Sequence, residues 1–232
     1  MIKQIVVLAG GLATRLYPIT KTIPKSMVPI LGEPFLAHQL RLFKRNGIEE
    51  VVMCVGHFAD QIIHHFGDGA DFGLRIQYSV EQGKLDTGGA LKHAADLLDD
   101  TFAVMYGDSY LLQELQPVFA FFEQQQKLGL MCVYNNDNQI EPSRVLLRDE
   151  HTVLKYQKEP PPVGAKHMEY GLNVFRKSII PQVDKTSFPL SDYFDILTPT
   201  GDLAAFSVPT RFYEIGSHQG IADLEQFLST HA

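Results

Sequence analysis

Short apolar runs alternate with amphipathic stretches along the first half of the chain. Runs of Val, Ile and aromatic residues predict buried strands at residues 4–8, 51–55, 74–78 and 102–106. Helical spacing of the apolar residues between these runs predicts helices at residues 35–46, 59–66 and 89–98. Alternating elements of this kind form a mostly parallel sheet covered by helices on both faces. Ligands of such sheets bind beyond the carboxyl ends of the strands.

The pattern changes after a helical stretch at residues 115–128. The pieces that follow, "MCVY", "SRVLLRD", "TVLKYQ", "YGLNVF" and "AAFSV", are strand-like and joined by short turns, with fewer helices between them. This predicts a mixed sheet in the second half, within one domain of two unequal lobes. The Pro- and Gly-rich segment 158–166 fits either a linker or a loop over the site.

The loop behind the first predicted strand carries candidate chemistry, in the stretch "LAGGLATRLYPITKTIPKSMVP" at residues 8–29. Adjacent Gly10 and Gly11 let the backbone approach an anion and point its N–H groups at it. Arg15 and Lys25 follow on a loop that three prolines keep non-helical. The loop has neither the Gly-Lys-Ser/Thr of a Walker A motif nor the third glycine of a dinucleotide fingerprint. Fixed cations in one such loop predict a site for several phosphate oxygens.

This loop resembles the signature of the sugar-1-phosphate nucleotidylyltransferases, which usually begins Gly-Gly-x-Gly-Thr-Arg-Leu and continues with Pro-Lys-Pro and Pro-Ile. Ala13 stands at the third glycine of that pattern, and Ser26 stands where a proline usually follows the catalytic lysine. Arg15 and Lys25 are kept. The resemblance implies a Rossmann-like nucleotidyltransferase fold, a mixed and mostly parallel sheet flanked by helices in three α/β/α layers.

The resemblance continues along nearly the whole chain. "KLDTGGAL" is similar to the family's Leu-Gly-Thr-Gly-Gly-Ala segment, with Asp86 in place of a glycine. "VMYGDS" resembles the strand that ends in the metal-binding Gly-Asp, and "YGLNVF" resembles the strand that contacts the sugar. "RFYEIGSHQGIADLEQFL" resembles the closing segment, with Glu214 at the position of a second metal-binding aspartate.

The resemblance implies a role for each matching residue. Arg15 and Lys25 are the implied catalytic cations. The implied nucleotide contacts are Leu8, Ala9, Gly10, Gly11, Thr14, Gln82, Thr87 and Gly88, with Gln82, and also Glu81 beside it, at the edge of the base. The implied contacts of the sugar phosphate are Asp108, Tyr170, Gly171, Asn173 and either or both of Lys158 and Glu159. Asp108 and Glu214 are the implied ligands of Mg²⁺, the expected cofactor. Residues 1–112 and 113–232 are the approximate nucleotide-binding and sugar-binding lobes.

Two of these residues also have plainer interpretations. Asp108 after a strand could cap the next turn, as the sequence Gly-Asp-Ser often does. Thr87 before two glycines predicts the N-cap of a helix, which agrees with an anion-binding role because helix N-termini bind anions.

Composition and charge argue against binding to nucleic acids or membranes. The net charge of −7 argues against binding nucleic acid through a basic face. No apolar run is long enough to cross a bilayer, and the N-terminus lacks the pattern of a signal peptide, so we expect a cytoplasmic protein that does not bind membranes. The two cysteines, Cys54 and Cys132, lie in apolar strand-like runs and are expected to be reduced core thiols. Proteins of the resembled family often form homo-oligomers.

The implied reaction joins a nucleoside triphosphate to a sugar 1-phosphate. The short chain is most similar in form to heptose-1-phosphate guanylyltransferases and N-acetylmuramate-1-phosphate uridylyltransferases, which favours GTP with a heptose- or mannose-type sugar. UTP, CTP or dTTP is the alternative. A non-catalytic nucleotide-sugar-binding regulatory protein is the rival from another class, and a nicotinamide-dependent oxidoreductase ranks behind both because its glycine pattern is missing.

Overall fold

A continuous sheet of nine strands runs through the computed structural model, which describes residues 2–11 and 14–231. In chain order the strands are β1 (Gln4–Leu8), β2 (Pro29–Ile30), β3 (Glu33–Pro34), β4 (Glu50–Val55), β5 (Arg75–Val80), β6 (Thr101–Tyr106), β7 (Ser109–Tyr110), β8 (Gly129–Asn135), β9 (Val145–Asp149), β10 (Thr152–Tyr156), β11 (His167–Arg176), β12 (Leu203–Val208) and β13 (Tyr213–Glu214). The α-helices are α1 (Phe35–Arg45), α2 (Ala59–Phe66), α3 (Asp86–His93), α4 (Leu115–Gln125), α5 (Ser191–Leu197) and α6 (His218–His231).

The sheet is parallel in its first half and mixed in its second. Its strand order is β5-β4-β1-β6-β11-β8-β12-β10-β9. The first four of these strands are mutually parallel, whereas β11 is antiparallel to both of its main neighbours, β6 and β8. β8 and β12 pair in parallel, and β9 and β10 form an antiparallel edge. The prediction of a mixed sheet flanked by helices is confirmed.

Helices cover both faces of the sheet and bury a separate core on each. Leu36, Leu40 and Phe43, the residues of α1 at helical spacing, are fully buried in one core together with residues of α2 and α4. The other core receives residues of α3 and α5. The chain therefore has the three predicted α/β/α layers. Cys54 and Cys132 are free thiols buried inside the sheet, and burial raises the pKa of Cys54 to about 12.

The third helix differs from its prediction. It begins at Asp86 and ends at His93, followed by a 3-10 turn at Ala95–Leu97, whereas residues 89–98 were expected to be helical. Asp86 has a left-handed backbone with φ of 58°. This explains why glycine is usual here, and aspartate is among the few residues that adopt this conformation readily.

Thr87 is not the N-cap of this helix, so that prediction was wrong. It lies within the first turn, and its hydroxyl accepts a hydrogen bond from the backbone N–H of Leu190 at 2.8 Å. The helix α4 also ends earlier than expected, because Gln126 takes a left-handed backbone with φ of 51°.

A two-stranded ribbon brings the closing segment of the chain to the end of the first half. β13 pairs antiparallel with β7, which places Glu214 opposite Ser109. Segment 158–166 is a loop between β10 and β11, two strands of the same sheet that are not adjacent in it. Over the described ranges, no helix has both the length and the apolar character needed to span a bilayer.

Candidate active site

The glycine loop and the aspartate after β6 meet at the carboxyl ends of the parallel strands. The backbone N–H of Gly107 donates to the carbonyl of Leu8 at 2.9 Å. A Cβ on Gly107 would stand 2.9 Å from that same carbonyl oxygen and 3.0 Å from the Cβ of Ala9. Glycine is therefore needed here for Asp108 to follow β6 so close to the end of β1.

Lys25 and Asp108 form a direct ion pair at this place. Pro24 precedes the 3-10 turn that carries Lys25, and the Lys25 Nζ donates to Asp108 Oδ2 at 2.6 Å. The side chains are 17% and 32% exposed, so both are shielded but reachable from solvent. The two residues are 83 positions apart in the chain, and the fold brings together the cation and the aspartate that the motifs predicted separately.

Glu214 completes this group, and we call Lys25, Asp108 and Glu214 the phosphate cluster. The backbone N–H of Ile215 donates to the carbonyl of Asp108 at 3.0 Å, which fixes Glu214 beside it. A Cβ on Gly216 would stand 3.3 Å from Glu214 Oε1 and 3.5 Å from Lys25 Nζ, so both charged groups border the same space.

Glu214 keeps one side open to solvent, but its carboxyl is partly desolvated. Its pKa is raised, first by burial and then by the negative charge of Asp108, while Lys25 and Arg15 oppose the shift. Arg15 is itself exposed on the 3-10 turn Thr14–Leu16. The cluster thus holds two carboxylates close enough to repel each other, with cations beside them.

This donor set fits a magnesium ion. Mg²⁺ prefers oxygen ligands and is commonly held by one or two carboxylates together with substrate phosphates and water. Asp108 and Glu214 supply such a pair, and a bound cation would relieve the repulsion from Asp108 that, after burial, raises the pKa of Glu214. Across residues 2–11 and 14–231, no larger group of His, Cys, Asp and Glu side chains forms a metal cage.

The predicted nucleotide contacts on the glycine loop lie together. Leu8 is buried at the end of β1, Ala9 and Gly10 are half-buried, and Gly11 is exposed. The side chain of Thr14 lies outside the described residues, as does Ala13. The role of these positions in nucleotide binding stays a prediction.

Gly88 and Thr87 are already engaged by another part of the chain. The backbone N–H of Gly88 donates to the carbonyl of Phe188 at 2.8 Å, and that of Gly89 donates to the same oxygen at 3.0 Å. Phe188 therefore takes the N–H groups that would otherwise face an anion at the start of α3. Any contact of Gly88 with a nucleotide has to be made through its carbonyl or its close-packed Cα.

A second polar group lies between the end of β6 and β11, and we call Tyr106, Glu169 and Asn173 the β11 cluster. Asn173 Nδ2 donates to Glu169 Oε1 at 2.7 Å, and the Tyr106 hydroxyl donates to Glu169 Oε2 at 3.4 Å. Desolvation raises the pKa of Glu169. Asn173 Oδ1 is buried and has no hydrogen-bond partner among the described residues.

Sequence reasoning missed Glu169 and Tyr106. Glu169, Gly171 and Asn173 alternate on β11, and the period of two would have placed Glu169 on the face of the other two predicted contacts. A bulge with register shifts between Glu169 and Asn173 widens this part of the strand, and Gly171 within it has φ of 84°. Such a left-handed backbone favours glycine.

The other residues predicted to contact the sugar phosphate do not lie together. Tyr170 is fully buried in the core on the opposite face of the sheet from Glu169 and Asn173, and its hydroxyl accepts from the N–H of Leu112 at 3.3 Å. Lys158 and Glu159 are exposed on the loop after β10. Lys158 is near enough to Glu169 to lower its pKa, opposing the effect of burial.

Comparison with known proteins identifies one family over most of the chain. The family model described as nucleotidyl transferase matches residues 4–180. The UTP–glucose-1-phosphate uridylyltransferase of Synechocystis sp. is 30% identical over 190 residues, covering 75% of this chain and 49% of that protein. The D-glycero-alpha-D-manno-heptose 1-phosphate guanylyltransferase of Campylobacter jejuni is 39% identical over 107 residues, covering 46% of this chain and 48% of that protein.

Solved structures agree on the fold. HddC from Yersinia pseudotuberculosis superposes with a TM-score of 0.83 at 24% identity, over 98% of this chain and 100% of that one. A putative glucose-1-phosphate thymidylyltransferase from Bacillus anthracis reaches 0.83 at 18% identity, over 97% of this chain and 94% of that one. The chain spans about half the length, or less, of the first curated relatives it matches.

Proposed function

The chain belongs to the nucleotidyl transferase family, and we propose that it transfers a nucleotidyl group from a nucleoside triphosphate to a sugar 1-phosphate, releasing pyrophosphate and an NDP-sugar. The observation that carries the proposal is the phosphate cluster. It combines a lysine, the aspartate after β6 and a second carboxylate at the carboxyl end of the sheet, directly beside the glycine loop. The relatives named above act on such substrates according to their names.

The proposed chemistry needs charge neutralisation rather than a general base. A phosphate oxygen of the sugar 1-phosphate attacks the α-phosphorus, the bond from that phosphorus to the bridging oxygen breaks, and pyrophosphate leaves with the electron pair. The nucleophile is already an anion, so the protein has to align two polyanions and stabilise the charge that builds up between them.

Lys25 suits the α-phosphate and the sugar phosphate. Its ammonium has three N–H donors, and Asp108 uses only one of them in the ion pair. The others can reach phosphate oxygens while the pair keeps the side chain in place. Exposed Arg15 is assigned to the outer phosphates and the departing pyrophosphate, which a flexible surface cation can follow.

A divalent metal is general in this family, and Asp108 and Glu214 are the residues that would hold it. Mg²⁺ is the proposed ion. Bound there, it supplies Lewis-acid stabilisation of phosphate oxygens.

The proposed substrate pair is GTP with a heptose- or mannose-type sugar 1-phosphate. The guanylyltransferase named above supports this choice, as does the mannose-1-phosphate guanylyltransferase of Mycobacterium tuberculosis, which is 42% identical over 104 residues covering 44% of this chain and 29% of that protein. UTP, CTP and dTTP remain the alternatives to be tested beside GTP, because the Synechocystis relative is a uridylyltransferase.

The test is magnesium-dependent pyrophosphate release over a matrix of nucleoside triphosphates and hexose or heptose 1-phosphates. We expect at least one productive pair and loss of its activity in Lys25→Ala. Lys21→Ala is the matched control, since Lys21 lies on the same loop with its ammonium 5.4 Å from the Tyr17 ring centroid, away from the ion pair. Nucleotide binding without turnover in the whole matrix would contradict the proposal and favour a regulatory binding protein.

A further inference from the structure

Gln39 is a polar residue on the buried, otherwise apolar side of α1. Its side chain is fully buried, as are those of Leu36, Leu40 and Phe43 around it on the same helix. An apolar side chain at this position would avoid the cost of taking an amide out of water. The glutamine therefore has to be explained by its hydrogen bonds rather than by packing.

The amide of Gln39 holds the turn that carries Asp108. Gln39 Nε2 donates to the carbonyl of Tyr106 at 3.1 Å and to the carbonyl of Ser109 at 2.7 Å. Tyr106 is the last residue of β6 and Ser109 is the first of β7, so the two carbonyls lie on either side of Gly107 and Asp108. These two acceptors fix the orientation of the amide, because a reversed amide would place its oxygen against both carbonyls.

The oxygen of the same amide is left without a partner. Gln39 Oε1 is buried and accepts no hydrogen bond from any residue that the structure describes. Gln4, a fully buried glutamine at the start of β1, is different, since its Nε2 donates to the carbonyl of Leu97 at 3.0 Å and its Oε1 accepts from the N–H of Asp99 at 2.8 Å. Gln4 thus satisfies both of its polar groups, whereas Gln39 holds two carbonyls at the expense of a buried, unpaired oxygen. Such exceptions to hydrogen-bond pairing are expected at functional sites.

The helix that carries Gln39 is also tied to the turn of Lys25. The 3-10 turn of Lys25 is followed by Val28, whose carbonyl accepts from the backbone N–H of Phe35, the first residue of α1, at 2.9 Å. Gln39 lies four residues after Phe35 and therefore on the same side of the helix. One helix thus contacts the turns of both partners of the ion pair, and its fixed geometry sets how Lys25 and Asp108 stand to each other.

We propose that Gln39 is a positioning residue of the phosphate cluster, which holds the Asp108 turn against α1 so that the Asp108 carboxylate keeps its place beside Lys25 and the metal. Gln39 is fully buried, so it acts through the turn and not on the substrate. The proposal rests on the proposed function for the metal and the phosphates, and it goes beyond that function by naming the residue that fixes the cluster from behind.

The first experiment measures metal binding without any substrate. The protein is titrated with Mn²⁺, a probe of the divalent-metal site, and the free ion is followed by electron paramagnetic resonance. Gln39→Met removes both donors at similar volume and should weaken Mn²⁺ binding by at least about tenfold, as when a group that orients a metal ligand is lost. Gln4→Met is the matched control and should leave Mn²⁺ binding within about twofold, because Gln4 lies at the opposite end of β1 from the glycine loop.

A milder variant guards against a loss of folding. Gln39→Asn keeps the amide but is one methylene too short to reach both carbonyls, so its Mn²⁺ affinity should lie between those of Gln39→Met and the unaltered protein. Thermal unfolding curves show which variants are folded. If Gln39→Met does not fold, Gln39→Asn decides, and an unaltered Mn²⁺ affinity in Gln39→Asn would overturn the proposal.

Steady-state kinetics separate positioning from a purely structural role. In Gln39→Met we expect kcat to fall by about 10- to 100-fold and the Mg²⁺ concentration for half-maximal activity to rise, while the KM of the sugar 1-phosphate changes little. A residue that only stabilises the fold would reduce the amount of active protein without altering the metal dependence. An unchanged Mg²⁺ dependence in Gln39→Met would therefore overturn the proposal.

Mn²⁺ binding also distinguishes this inference from the proposed function. Weakened Mn²⁺ binding in Gln39→Met but not in Gln4→Met, in a protein with no turnover, would support the role of Gln39 and contradict only the proposed function. Mn²⁺ binding that is equal in Gln39→Met and the unaltered protein, or absent from both, would overturn the role of Gln39 even if the reaction is found.

Discussion

The phosphate cluster and the β11 cluster each contain a desolvated glutamate, but they stabilise it by different means. Glu214 lies beside a cation, since the Lys25 ammonium pairs with its neighbour Asp108 at 2.6 Å. Glu169 receives hydrogen bonds from an amide and a phenol instead. A carboxylate beside a cation suits a site where phosphates and a metal bind and leave. The amide and the phenol beside Glu169 carry no charge, and the Glu169 carboxylate keeps lone pairs that can accept hydrogen bonds from hydroxyl groups.

The largest expected difference is between the loss of Lys25 from the phosphate cluster and the loss of Glu169 from the β11 cluster. Lys25→Ala should lower kcat/KM by on the order of 100-fold or more, about 3 kcal/mol of transition-state stabilisation. Under the proposed function, with Gly171 and Asn173 as contacts of the sugar phosphate, Glu169→Ala should act mainly through the KM of the sugar 1-phosphate, because Glu169 accepts a hydrogen bond from Asn173. Steady-state kinetics of both variants will check this, and a Lys25 variant whose only defect is a raised KM for the sugar would contradict the contrast.

The glycines next to each cluster provide a stability test. Gly107→Ala should lower the free energy of unfolding by about 1–3 kcal/mol, because the new Cβ meets the fixed carbonyl of Leu8. Gly171→Ala should cost about 1 kcal/mol from backbone strain at its φ of 84°. Urea unfolding measures both, and Gly83→Ala, which has open space around it, is the control.

The pH dependence of stability should reveal Glu169. Its folded-state pKa is raised by burial, so its contribution to stability is fully present below the unfolded value and is lost as the pH rises through the folded one. Glu169→Gln should therefore unfold less readily than the unaltered protein at pH 8, by about 1 kcal/mol, and show no such gain below pH about 4.3. Four other residues influence the pKa of Glu169 and are left unaltered in this comparison: Tyr106, Asn173, Lys158 and Glu141. An equal gain at both pH values would rule out titration as its source.

The smallest expected effect lies beside the catalytic lysine. Ser26 is buried, and its hydroxyl has no partner within the part of the chain that the structure describes. Ser26→Ala should leave the free energy of unfolding unchanged or raise it by up to about 1 kcal/mol. A loss of stability in urea titrations would show that the hydroxyl has a partner in solution.

Local pattern was enough to predict the strands of the first half and the order of the layers. Period and composition located β1, β4, β5 and β6 to within two residues, because β1, β4 and β6 are largely continuous apolar runs and β5 carries an apolar residue at every second position. The motifs likewise named Lys25, Asp108 and Glu214. The contacts at the start of α3 could not be predicted in this way, since the N–H groups of Gly88 and Gly89 and the hydroxyl of Thr87 are engaged by residues 188 and 190, about 100 positions away.

The predictions for β11 failed to separate the two faces of a strand. The resemblance predicts both Tyr170 and Asn173 of "YGLNVF" as sugar contacts, yet Tyr170 lies in the core on the opposite face of the strand from Asn173. The bulge that opens the strand near Gly171 depends on register with β8, which no single stretch of sequence encodes. Glu169 was missed for the same reason, because its importance comes from Tyr106 on the neighbouring strand.

The antiparallel pairing of β6 with β11 has a consequence for how such a protein can diversify. Leu172 lies opposite Met105 and Asn173 opposite Val104, so the strand that leads into Asp108 and the strand that carries Glu169 share one ladder of backbone hydrogen bonds. The backbone sets the spacing between the two clusters independently of their side chains. Under the proposed function, the acceptor can therefore be exchanged by altering side chains on β11, while the reacting phosphates keep their place.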